Sequence, residues 1–96
     1  MSQKITTADE AAEVVTLATP IPVGAEKVTT LYFRRPNLGD MRATDGQGEF
    51  ARLAILAARL TGLPLTSVER IDGADLDKVA EVVGNFLSRS PATGAS

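Results

Sequence analysis

The stretch EFARLAILAARLTGL, residues 49–63, constrains this chain more than any other. Alanine, leucine and arginine all favour helix. Phe50, Leu53, Ala54, Ala57 and Leu60 recur at the spacing of one helical face. Ala51, Ile55, Leu56 and Ala58 then occupy much of the remaining circumference, and only Glu49, Arg52 and Arg59 are charged. A helix that is apolar nearly all round has to be covered on more than one side. With 96 residues in the whole chain, the cover must come from a few short elements or from another molecule. Gly62 suits the left-handed position that closes a helix, and Pro64 follows it.

The elements before it form a hairpin. Val15 and Leu17 alternate with Thr16 and Ala18, and Pro20 and Pro22 are expected to stop that strand because proline cannot donate to a ladder. Residues 23–27, VGAEK, supply a turn with one glycine. The following KVTTLYFRR alternates again, with Leu31 and Phe33 on one face and Val28, Thr30 and Tyr32 on the other. A lone hairpin is marginal in water, so the Leu17, Leu31 and Phe33 face must rest on helices or on a second chain. Pro36 disfavours helix at Arg35 and ends the strand there. Asn37 is a good N-cap, and Asp40 stands three residues on, facing the free N–H groups of a helix over about 38–43. Arg34, Arg35, Pro36, Asn37, Gly39, Asp40 and Arg42 thus make a structural corner between hairpin and helices.

Beyond the central helix, residues 66–69, TSVE, have the pattern of a capping box for a short helix. Asp72 is placed to cap a last helix over about 74–89, with Asp75 in its first turn as a second capping acid. There Leu76, Val79, Ala80, Val83, Phe86 and Leu87 form an apolar stripe opposite Asp77, Lys78, Glu81 and Asn85. The expected fold is α+β: an N-terminal antiparallel β-hairpin followed by three or four α-helices in one domain over 13–89. Residues 1–12 are read as a flexible tail, although residues 7–10 (TADE) have a capping pattern that would start a short helix. Residues 90–96, small and polar, are read as a disordered tail.

Composition excludes most chemistry. There is no cysteine and no histidine, which removes thiolate metal sites, a cysteine nucleophile and the usual general base near neutral pH. No nucleophile–base pair and no glycine-rich phosphate loop stands out, so no catalytic residue, metal or cofactor is assigned. The formal net charge is −2. Arg34, Arg35 and Arg42 beside Tyr32 and Phe33 are too few cations for a nucleic-acid footprint, and nucleic acid is not an expected partner. No apolar run approaches the length of about 20 residues that spans a bilayer, and no leader stands out, so a cytoplasmic protein without membrane contact is expected. The excess apolar surface of the central helix, with the two edges of the hairpin, points to protein binding and to self-association.

The ordered motifs Val15-x-Leu17, Pro20-Ile21 and Gly24, then Leu31 to Arg42 with Pro36, Gly39-Asp40 and Arg42, then Leu60-Thr61-Gly62-Leu63-Pro64 and finally Phe86-Leu87 resemble the small tail assembly chaperones of contractile-tailed, Mu-like phages and prophages. The resemblance does not choose between Arg34 and Arg35 as the arginine before the proline. It implies a non-enzymatic protein that binds the tape measure protein and keeps it soluble before the tail tube polymerises. It further implies action in the host cytoplasm, absence from the mature virion and, in many such proteins, a frameshifted longer form. The partner-binding surface is expected at Leu31, Phe33, Phe50, Leu53, Ile55, Leu56 and Leu60. The alternatives are a small nucleic-acid-binding or regulatory module and a minor structural subunit of tail or capsid.

Overall fold

The computed structural model describes residues 5–88. A short 3-10 turn, Ala8–Glu10, precedes strands β1 (Glu13–Val23) and β2 (Glu26–Phe33), and four helices follow: α1 (Leu38–Ala43), α2 (Glu49–Thr61), α3 (Leu65–Val68) and α4 (Gly73–Ser88). The strands form a two-stranded antiparallel sheet, joined through Gly24 and Ala25, with Gly24 at a φ of 61°. The α+β class and the hairpin-then-helices order are as the sequence predicts.

Alternation places Val15, Leu17, Ile21, Leu31 and Phe33 on the inner face of the hairpin, all buried. They meet Leu56, Ala57, Ala58 and Leu60 of α2, Leu63, Val68 of α3, and Val79 and Val83 of α4 in one core. The central helix is thus covered from several sides within a single chain: α1, α3, α4 and β2 all pack on it.

Four local expectations change. First, β1 does not stop at the prolines but runs through Pro20 and Pro22 to Val23. Its pairing with β2 slips between Thr16, opposite Thr30, and Ile21, opposite Val28. Four residues of β1 therefore face one of β2, a wide bulge that holds Pro20. Each strand has a neighbour on one side only, so a missing N–H can be tolerated on the other. Second, from Ile5 onward the expected N-terminal tail lies against the fold. The Thr6 N–H donates to the Thr61 carbonyl at 2.9 Å, its hydroxyl donates to the Leu60 carbonyl at 2.6 Å, and Thr7 with Glu10 forms the capping box. Third, α3 starts two residues earlier than its capping pattern suggests, with Pro64 rather than Thr66 at the N-cap and no side-chain cap. Fourth, Asp75 does not cap α4. Asp72 takes the Ala74 N–H at 2.9 Å, and Asp75 is used elsewhere. Arg89 and the expected C-terminal tail, 90–96, lie outside the described residues.

Candidate partner-binding surface

The corner at 34–42 is built around one carboxylate. Asn37, extended at the N-cap, accepts the Asp40 N–H at 3.1 Å, and Asp40 returns the bond by accepting the Asn37 N–H at 2.8 Å. This capping box fixes α1 and turns the Asp40 carboxylate inward, where it is fully buried. Arg34, at the end of β2, meets it with both terminal nitrogens, at 2.8 and 3.1 Å. Arg59, from the last turn of α2, adds its Nε at 2.8 Å. The Arg34 guanidinium also donates to the Arg59 carbonyl at 3.1 Å, and its backbone N–H to the Leu60 carbonyl at 3.1 Å. One carboxylate therefore ties β2, α1 and α2 together. Burial alone would push its pKa up. The hydrogen bonds from Arg34, Arg59 and Asn37, with the charge of Arg34, outweigh this and hold it well below the usual carboxylate range. The same contact raises the pKa of Arg34.

Arg34, not Arg35, is the arginine that holds the corner. Arg35 and Arg42 are exposed, and no ion pair within the described residues includes either of them. Gly39 sits in the first turn of α1, where an added Cβ would come to 3.2 Å from the capping oxygen of Asn37.

The apolar residues expected to bind a partner divide into two groups. Leu31, Phe33, Leu56 and Leu60 are buried in the core, at 1% exposure or less. Leu53 and Ile55 are half-buried, and Phe50 is 73% exposed. Two hollows flank Leu53. One, of about 370 Å³, lies between α2 and α4 and is lined by Leu53, Leu56, Ala80, Val83, Gly84 and Leu87, with Glu49 and Arg52 at its edge. The other, of about 150 Å³, lies among α2, α3 and α4, lined by Phe50, Leu53, Val68, Ile71 and Leu76 with Glu69. Sequence reasoning missed the α4 wall of the first hollow. The available signal was Ala80 and Gly84, two small residues one turn apart on the helix; an added Cβ at Gly84 meets nothing within 4 Å.

It also missed Asp75. The bulge in β1 turns two consecutive backbone N–H groups away from the ladder, and Asp75 accepts both: Ala18 at 2.9 Å and Thr19 at 3.0 Å. Lys78, one turn on, bridges Asp75 at 3.2 Å and the Thr16 carbonyl at 3.2 Å. The Ala18 and Thr19 hydrogen bonds, then Lys78, lower the Asp75 pKa against the opposing effect of burial. Nothing in sequence spacing marks a partner 57 residues away.

Among the described residues there is no group of three or more His, Cys, Asp or Glu side chains placed to hold a metal. No described helix is long and apolar enough to cross a membrane. Buried carboxylates stitch the elements of a small hairpin-and-helices domain together, beside a half-open aliphatic surface. The family model of phage tail assembly chaperone proteins, described as E, or 41 or 14, matches residues 14–88, and the chain belongs to that family. No curated protein and no solved structure matches it. Membership points to a non-enzymatic role with protein partners in tail assembly.

Proposed function

We propose that this chain binds the tape measure protein and keeps it soluble until the tail tube polymerises. It acts in the host cytoplasm and leaves before the virion is complete. The observation that carries this reading is the open apolar groove between α2 and α4, with exposed Phe50 at the start of α2. A long, apolar helical partner needs such an adaptable aliphatic surface and no chemistry. Leu53 with Ala80, Gly84 and Leu87 are the groove's contact residues; Phe50, on the neighbouring hollow, extends the surface, and Ile55 lines neither hollow. Leu31, Phe33, Leu56 and Leu60 shape the surface from beneath.

The test follows from Gly84. Gly84→Arg fills the groove from an exposed helical position that has room for the side chain and improves helix propensity. Its melting temperature should equal or exceed wild type, while co-purification of co-expressed tape measure protein falls at least about tenfold, the loss of one buried aliphatic contact. Undiminished co-purification with the folded variant would remove this groove from the binding surface. A Leu56→Asp exchange is no substitute, because it places a carboxylate in the core.

A further inference from the structure

Leu38 opens α1 and is 74% exposed, the most exposed large aliphatic side chain among the described residues. Arg42 lies one turn on, at the i+4 position of the same face, and Arg35 precedes it by three residues. The corner carboxylate is taken by Arg34 and Arg59, so neither Arg35 nor Arg42 has an acidic partner in its own chain's described residues. The result is an aliphatic knob with one free cation, Arg42, on its own helix face and a second, Arg35, three residues before it in the chain.

The hollow among α2, α3 and α4 has the opposite character. It holds about 150 Å³, is lined by Phe50, Leu53, Ala57, Val68, Ile71 and Leu76 among others, and its one charged lining residue is Glu69. Glu69 is exposed and enters no ion pair among the described residues. An apolar cavity of about this size accepts a group as large as benzene. Knob and hollow cannot meet within one molecule, because α1 packs on α2 and makes no contact with α3 or α4.

We propose that Leu38 of one copy seats in the α2–α3–α4 hollow of a second copy, with Arg35 and Arg42 facing Glu69 across the contact. The two surfaces differ, so the contact is head-to-tail and each added copy presents a fresh knob and a fresh hollow. Nucleic acid is the less favoured occupant of the arginine pair: two free cations make a small footprint, and the exposed leucine between them has no use for a phosphate. This contact shares Phe50 and Leu53 with the surface proposed for the tape measure protein, but it is read on the chain alone and needs no tape measure protein.

Sedimentation of the full chain alone, over a wide concentration range, tests it. Wild type should gain mass steadily with concentration. Leu38→Asp destroys the knob and keeps the hollow. Phe50→Arg does the reverse, setting a like charge against Arg35 and Arg42. Both positions are exposed, so both variants should fold, and each should weaken self-association about 10- to 100-fold. An equimolar mixture restores one intact contact and should give a 1:1 dimer that grows no further. Arg42→Glu should lose about three- to tenfold and regain it against Glu69→Arg. A monomeric wild type, variants that assemble like wild type, a mixture that stays monomeric, or a low-salt gel shift of DNA or RNA abolished by Arg42→Glu would each overturn the proposal.

Discussion

Asp40 and Asp75 are two buried carboxylates, each in the first turn of a helix, and they do different work. Asp40 is met mainly by side chains: two arginines from other elements, with its own capping box as the local part. Asp75 is met mainly by backbone: two consecutive N–H groups of a strand that leaves its ladder. The difference lies in what remains when the carboxylate is removed. Arg34 and Arg59 are partly exposed, at 34% and 38% of their side chains, and can turn to water. Ala18 and Thr19 are exposed residues, but their N–H groups belong to backbone held in a bulge against α4 and cannot turn away as a side chain can, so each loses its partner wherever water does not replace the carboxylate.

Asp75 is therefore the more sensitive of the two. Asp75→Ala should lower the melting temperature the most, on the order of 15 °C for a domain of this size. Hydrogen exchange at Ala18 and Thr19 should accelerate before exchange in α2. Equal or smaller damage than at Asp40 would mean that the bulge finds water instead.

Asp40→Ala should cost less, on the order of 10 °C. Exchange should rise in α1 and at Arg34, while the hairpin–α4 contact stays protected. A uniform loss of protection across the chain would show that the corner is not a separable joint.

Acid should act on both carboxylates more mildly than either substitution. Both carboxyls titrate lower in the folded chain than their ordinary value of 3.8. Their contribution is therefore fully present above about pH 5 and is lost as pH falls through 4 toward the folded values. At pH 4 the wild-type melting temperature should have dropped by only about a few degrees. Asp75→Asn, less stable at neutral pH, should then show a shallower further fall between pH 5 and 3. An unchanged acid slope in that variant would deny Asp75 its part in it.

The sequence carried the parts of this fold that depend on local order. The period-2 pattern through Leu31 and Phe33, the Asn37–Asp40 spacing and the Gly62 stop each act within a few residues, and each is where it was expected. Prolines at 20 and 22 misled, because their penalty depends on whether a strand has a neighbour on both sides. Asp75 and Arg59 looked like ordinary helix-end charges; their partners are set by packing between distant elements. The candidate surface was legible only in part for the same reason. A leucine such as Leu56 or Leu60 shows its face of the helix, not which neighbour covers it. Leu53 remained half-open where α4 presents the small residues Ala80 and Gly84, and Phe50 stands at the separate hollow among α2, α3 and α4.

The bond from Ala18 to Asp75 spans 57 residues, and that length has a temporal meaning. During synthesis the hairpin leaves the ribosome long before the helix that satisfies its bulge. Until Asp75 emerges, the strands have a turn and half a ladder but no latch. The domain therefore closes only when nearly all of it has been translated, so a nascent chain stalled before α4 should remain open to proteases.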